Sequence, residues 1–207
     1  MKYRRMPIEI ESPEQMGYGN IDCNLTESSF SDALLGDLGI DFAKLLLCYG
    51  DHLGKPELRA QIAADAAPLA AENILVTAGA ASALFIISTT LLKTGERLIV
   101  MRPNYATNIE TPRAIGAAID FLDLTFDERF QLDLDRLAAK ITKDTKLVSL
   151  TNPHNPTGAM MSESDLRGVI KLVESSGARL IFDETYRDMA FGEPLPCAAA
   201  LSERAIS

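Results

Sequence analysis

The sequence predicts an α/β fold: a mostly parallel sheet with helices on both faces, preceded by an irregular N-terminal arm. Three observations predict it. Short apolar runs, among them Arg97–Met101, Lys146–Leu150 and Arg179–Phe182, alternate with segments whose apolar residues recur every three or four positions. Two of those runs are joined by residues 162–176, where Leu166, Val169, Ile170 and Val173 mark one helical face. Strand, helix and strand of that length form a βαβ unit, so the strands should be parallel and neighbouring or nearly so. The chain has 207 residues, 47% apolar and 24% charged, a globular composition long enough for a sizeable core.

Composition also excludes function classes. The net charge is −9 with no basic run, which argues against a nucleic-acid role. The three cysteines, Cys23, Cys48 and Cys197, are widely spaced, show no disulfide framework or metal spacing, and leave a reducing cytosol as the default. His52 and His154 are the only histidines, which rules out a histidine-rich metal site. The basic start, Met1 to Pro7, has no apolar stretch behind it and does not read as a secretory signal. Ala83–Leu92 is apolar but too short to span a membrane.

In chain order, residues 1 to about 35 carry little periodicity and read as a solvated arm. Gly54 supplies a turn, and Pro56 suits the first turn of a helix whose face is Leu58, Ile62 and Ala66. Ile74–Thr77 reads as a short strand, followed by Ala78-Gly79-Ala80-Ala81-Ser82 and a helix to about Leu92. Small residues there let an anion approach the open N–H groups of a helix start. Arg97–Met101 is the next strand. A polar helix over about 106–115, a strand over 117–122 and a helix over 133–141 follow, the last with an acidic start that suits the helix dipole. Ser162 with Asp165 predicts a capping box. After Tyr186 the pattern fades through Pro194 and Pro196, and residues 203–207 look like the opening of another strand.

The candidate chemistry sits in one loop and its echo. Thr151-Asn152-Pro153-His154-Asn155-Pro156-Thr157-Gly158 follows a strand, and its two prolines stop that strand because they cannot donate to a ladder. Two asparagines are left on a stiff loop at the carboxyl end of a strand, where open parallel α/β sheets bind ligands. The echo, Arg179 to Tyr186, ends its strand in Asp183 and places a phenol three residues on. An amide, a carboxylate and a phenol converging on one edge suit a pyridinium ring with an adjacent phenolic oxygen. The carboxylate keeps the ring nitrogen protonated, and a protonated ring is the better electron sink. That ligand is pyridoxal 5′-phosphate. Separately, Asn-Pro pairs are ordinary turn formers and a lone Asp is often only a helix cap. The two pieces in this order carry the reading.

Asn152-Pro-His-Asn-Pro-Thr-Gly158 followed by Asp183-Glu-Thr-Tyr186 resembles the class I/II aminotransferases, the fold type I pyridoxal-phosphate enzymes, over roughly Tyr49 to Tyr186. The resemblance implies the large domain of an aspartate-aminotransferase-like fold over 46–207, in part, and an arm or part of a small domain over 1–45. It implies that Asn155 and Tyr186 contact the cofactor 3-oxygen and that Asp183 pairs with the pyridine nitrogen. It also implies that Gly79, Ala80 and Ala81, with Ser82 as a helper, cup the phosphate through backbone donors. Tyr105 would stack on the ring, or pack on Pro103 as a loop tyrosine. Tyr49 would reach the phosphate of a neighbouring subunit, or pack at a domain seam. Asn24–Glu27 lies where relatives help to close the substrate site.

In the resembling family a Ser-x-x-Lys segment follows the Asp-x-x-Tyr motif and supplies the Schiff-base lysine. Lysines 2, 44, 55, 93, 140, 143, 146 and 171 have no such context, so that lysine is expected beyond Ser207, and no catalytic residue is assigned within the chain. The chain is therefore expected to be an incomplete, truncated member, with an exposed apolar sheet edge and doubtful activity of its own. The implied activity is amino-group transfer from an amino acid to a 2-oxo acid, in a cytoplasmic homodimer without membrane or nucleic-acid partners. Other pyridoxal-phosphate chemistry (a C–S lyase, decarboxylase or oxidase) and a non-catalytic binding module remain open alternatives.

Overall fold

The computed structural model describes residues 1–6, 10, 12–23 and 34–207. The Asn24–Glu27 segment therefore lies outside the described residues. The chain divides into two compact units, Arg5–His52 and Leu53–Ser207 with Met1–Arg4. In the first, the described residues form one helical turn, α1 (Pro13–Met16), and short 3₁₀ turns at Tyr18–Asn20, Leu35–Leu38 and Phe42–Lys44. Leu46, Leu47 and Tyr49 of this unit are exposed.

The second unit is built on one parallel sheet in the order β2-β1-β3-β4-β5. Its strands are β1 (Arg97–Arg102), β2 (Ala118–Asp123), β3 (Thr145–Thr151), β4 (Arg179–Asp183) and β5 (Ala205–Ile206). The helices are α2 (Pro56–Ala64), α3 (Ala80–Leu91), α4 (Ala106–Ile115), α5 (Leu134–Lys140), α6 (Glu163–Ser176) and α7 (Ala198–Leu201). The βαβ reading holds: β3, α6 and β4 follow in sequence, and β3 pairs directly with β4, Leu147 opposite Arg179 and Thr151 opposite Asp183.

Alternation along the strands assigns the two faces. Ile99, Met101, Val148, Leu150, Leu180 and Phe182 pack with Leu137 of α5 and with Leu166, Val169 and Val173 of α6 in one apolar core. Neighbouring strand positions point the other way, toward α4, where Ser149 meets Asn108. That opposite face is where the polar side chains gather.

Local signals set the helix ends. Ser162 caps α6: its hydroxyl accepts from Asp165 N–H at 3.1 Å, and the Asp165 carboxylate accepts from Ser162 N–H at 3.0 Å. Asp133 caps α5 by accepting from the N–H groups of Asp135 and Arg136. Ser162→Ala removes one half of the reciprocal cap, and a loss of about 1 kcal/mol in urea-unfolding stability is expected.

One predicted strand is corrected. Ile74–Thr77 joins no sheet; it runs as an extended segment held by a bond from Val76 N–H to the Leu53 carbonyl, 2.9 Å. Its apolar residues suit a strand, but no other strand of the described residues runs beside it, and a ladder needs both partners. β5 is paired on one side only. A cavity of about 620 Å³, lined in part by Ile62, Leu69, Ile74, Ala205 and Ile206, borders this edge.

Candidate functional site

The carboxyl ends of β3 and β4 lie side by side, and the two signature loops leave from them. Asn152 N–H bonds to the Asp183 carbonyl at 2.9 Å, which ties the two strand ends together. The two asparagines of the proline-rich loop then diverge. Asn152 is buried, and its Oδ1 accepts from Met161 N–H at 2.9 Å, so it holds the returning end of the loop. Asn155 is half-buried, and its Nδ2 lies 3.5 Å from the Tyr186 hydroxyl. The peptide bonds before Pro153 and Pro156 are cis.

His154, between the asparagines, is buried and serves the loop. Its Nε2 lies 2.9 Å from the Pro103 carbonyl, which can only accept, so Nε2 carries the proton. Nδ1 then accepts from the Thr157 hydroxyl at 2.7 Å. Burial lowers the His154 pKa from its ordinary value, keeping the ring neutral.

Asp183 is buried at the end of β4 and is met by donors on both oxygens. Oδ1 accepts from the Thr185 hydroxyl (2.6 Å) and the Thr185 N–H (3.2 Å). Oδ2 accepts from Asn108 Nδ2 at 3.1 Å. Asn108 lies in the first turn of α4, and its Oδ1 accepts from the Ser149 hydroxyl of β3 at 2.9 Å. One helical turn earlier, Asn104 Oδ1 accepts from Asn108 Nδ2, the Thr151 hydroxyl and Tyr105 N–H. The result is a polar cluster drawn from α4, β3 and β4, with one carboxylate at its rim. Asn104 Nδ2 is buried with no hydrogen-bond acceptor among the described residues.

Glu184, next in sequence, serves a different end. It accepts from Ala198 N–H at 2.9 Å and so caps α7. Burial raises its pKa, the Ala198 bond opposing the shift.

The anion-cup segment opens α3. Gly79 has φ +84°, a conformation that favours glycine. Its own N–H is directed to the Thr77 carbonyl at 2.9 Å, and Ser82 N–H to the Gly79 carbonyl at 3.2 Å. Ala80 and Ala81, the first residues of α3, have N–H groups that the helix itself cannot pair. The Ser82 hydroxyl donates to the Ala78 carbonyl. The Tyr105 ring is 43% exposed at the N-cap of α4, adjoining the polar cluster through its backbone. Tyr49 belongs to the other compact unit, fully exposed, and Asn155, Asp183 and Tyr186 to this one.

The structure thus brings Asn155 to Tyr186, and Asp183 to a cluster that sequence reading left out. Asn104, Asn108, Ser149, Thr151 and Thr185 were missed because short polar side chains carry no burial signal in sequence.

Comparison with known proteins gives the family and the fold. Residues 43–206 match the family described as Aminotransferase class I and II. The chain is 32% identical over 153 residues to a probable aspartate/prephenate aminotransferase of Aquifex aeolicus, covering 70% of this chain and 38% of that protein. It is 30% identical over 143 residues to a probable aspartate aminotransferase of Methanocaldococcus jannaschii, 67% of this chain and 38% of that one. A solved PLP-dependent aminotransferase from Streptococcus suis shares the fold with a TM-score of 0.88 at 24% identity, over 99% of this chain and 57% of that one. The chain therefore spans roughly two fifths of the curated relatives it matches. With the family match extending over most of its length, the chain belongs to the class I and II aminotransferases.

Proposed function

We propose that this chain forms a pyridoxal-phosphate site and that the site serves amino-group transfer from an amino acid to a 2-oxo acid. The observation that carries the reading is the pairing, at adjacent strand ends, of a buried carboxylate (Asp183) with two donors (Asn155 and Tyr186) that stand 3.5 Å apart. At that separation both donors can reach one acceptor oxygen.

The residues fit the group. The Asp183 carboxylate lies in a cluster that offers it three donors, two on Oδ1 and one on Oδ2, and a lone pair on Oδ2 remains for a ring N–H. Asn155 and Tyr186 would hold the 3-oxygen. Ala80 and Ala81 would present N–H groups to the phosphate at the start of α3, with Gly79 giving the turn that exposes them. Tyr105 would cover one ring face and Tyr49 would serve the phosphate of a second copy. The unmatched donor on Asn104 adds to the polar character of the site. When bound, the cofactor supplies an electron sink for the carbanion at the amino-acid Cα. The chain's own part is to hold the ring nitrogen's proton at Asp183, orient the ring through Asn155 and Tyr186, and neutralise the phosphate with helix N–H groups.

The same reading extends to an arm over 1–45, a cofactor-binding domain over 46–207, a homodimer and a cytoplasmic location. The exposed apolar Leu46, Leu47 and Tyr49 suit burial against a second copy, and among the described residues no helix is long and apolar enough to cross a membrane.

Calorimetric titration with pyridoxamine 5′-phosphate, which forms no adduct with surface lysines, tests the site. Saturable binding of about one equivalent is expected. Asn155→Ala and Tyr186→Phe should each weaken it about tenfold, one hydrogen bond to a charged oxygen apiece. Absence of saturable binding overturns the reading. Product analysis with an amino acid, with and without a 2-oxo acid, then tests the reaction. An absolute need for the acceptor supports transfer; product formed without it supports a lyase, decarboxylase or oxidase.

A further inference from the structure

We infer that Asn108 is a positioning residue for Asp183, with its amide held in one orientation by Asn104 and Ser149. The inference rests on the reading of Asp183 as partner of the cofactor ring nitrogen.

The geometry assigns the amide without ambiguity. Asn108 touches three groups: its Nδ2 faces Asp183 Oδ2 and Asn104 Oδ1, and its Oδ1 faces the Ser149 hydroxyl. The Asp183 carboxylate can only accept, so the Asn108 atom 3.1 Å from Oδ2 is the NH₂ nitrogen. The Ser149 hydroxyl then donates to Asn108 Oδ1 at 2.9 Å. A flipped amide would set a carbonyl oxygen against a carboxylate oxygen and leave the buried hydroxyl without an acceptor. Asn108 is 3% exposed and Ser149 2%, so water does not compete for either bond. Ser149 sits in β3 and Asp183 at the end of β4; Asn108 spans both from α4.

The consequence falls on the shared proton. A donor on Oδ2 stabilises the carboxylate in its charged form. With that donor present, a proton between ring nitrogen and carboxylate resides on the ring. Without it, the proton moves toward Asp183 and the ring loses the positive charge that makes it an electron sink. Thr185 holds Oδ1 from its own loop, two residues on, whereas Asn108 brings its donor to the Asp183 carboxylate from α4.

The test uses pyridoxamine 5′-phosphate labelled with ¹⁵N in the ring. Its chemical shift, bound to the chain at pH 8, reports whether the nitrogen is protonated; affinity is measured in parallel. Wild type should give the pyridinium signal. Asn108→Leu should move the signal toward neutral pyridine and weaken binding about tenfold. Ser149→Ala, which removes one of the bonds that hold the amide, should move the signal in the same direction and weaken binding about threefold. A purely structural role for Asn108 would lower affinity without moving the shift, and that result overturns the inference. If Asn108→Leu does not fold, judged by its urea transition, Ser149→Ala carries the test. Asp183→Asn separates the two levels. If it leaves shift and affinity unchanged, the reading of the site fails. If it moves both while the Asn108 and Ser149 variants move neither, only the positioning role fails.

Discussion

Asp183→Asn is expected to weaken pyridoxamine 5′-phosphate binding by at least about a hundredfold while leaving a folded chain. The substitution keeps the shape of the side chain and removes its charge. A pyridinium nitrogen brought to a buried neutral amide has lost its counter-charge in a poorly solvated site, and removing one partner of a buried ion pair costs about 3–5 kcal/mol. That converts to about two to three and a half powers of ten in affinity. The folded state is affected less. The new amide has one acceptor oxygen and can serve either Asn108 on one side or the Thr185 hydroxyl and N–H on the other, but not both as the carboxylate does. One unmatched buried donor costs about 1–3 kcal/mol, visible as a lower urea midpoint with an unchanged slope. The two readouts therefore separate charge from architecture. A Kd within threefold of wild type, with the cofactor still bound, would remove Asp183 from the role of ring partner.

Much of this site was legible in sequence for a definite reason. Proline and glycine act on the backbone locally, so Pro153, Pro156 and Gly158 mark the loop whatever the tertiary context. The helical face of Leu166, Val169, Ile170 and Val173 sets the length of the crossover, which makes β3 and β4 neighbours and brings Asn155 to Tyr186. The capping box at Ser162 is equally local. What stayed hidden depends on contacts far apart in the chain. Asn108 reaches Asp183 across 75 residues and Ser149 across 41, and nothing in either neighbourhood announces the meeting. The error at Ile74–Thr77 has the same origin. Periodicity and residue type describe one strand, whereas a ladder is a property of two.

Gly54→Ala is expected to cost about 2–4 kcal/mol and to weaken phosphate-ligand binding along with the fold. Gly54 has φ +104°, where an L side chain is strained by about 1–2 kcal/mol. A Cβ built there would lie 2.4 Å from Val76 Cβ and 2.6 Å from Val76 Cγ2, well inside van der Waals contact. The Cβ of Val76 sits directly on its backbone and cannot swing aside, so relief requires Ile74–Thr77 to move away from Leu53, and overpacking of this kind costs about 1–3 kcal/mol. The bond from Val76 N–H to the Leu53 carbonyl ties that segment to Leu53, and the segment leads into Gly79 and the open N–H groups of Ala80 and Ala81. Strain at Gly54 should thus reach the proposed phosphate cup from Val76 through Thr77 and Ala78. Removing the opposing Cβ tests the cause. Val76→Gly in the Gly54→Ala background should recover the packing part of the loss, though not the φ strain, in urea unfolding. If the double variant is as unstable as the sum of the two single ones, the contact is not the source, and the close approach of Gly54 to Val76 does not set the position of the α3 start.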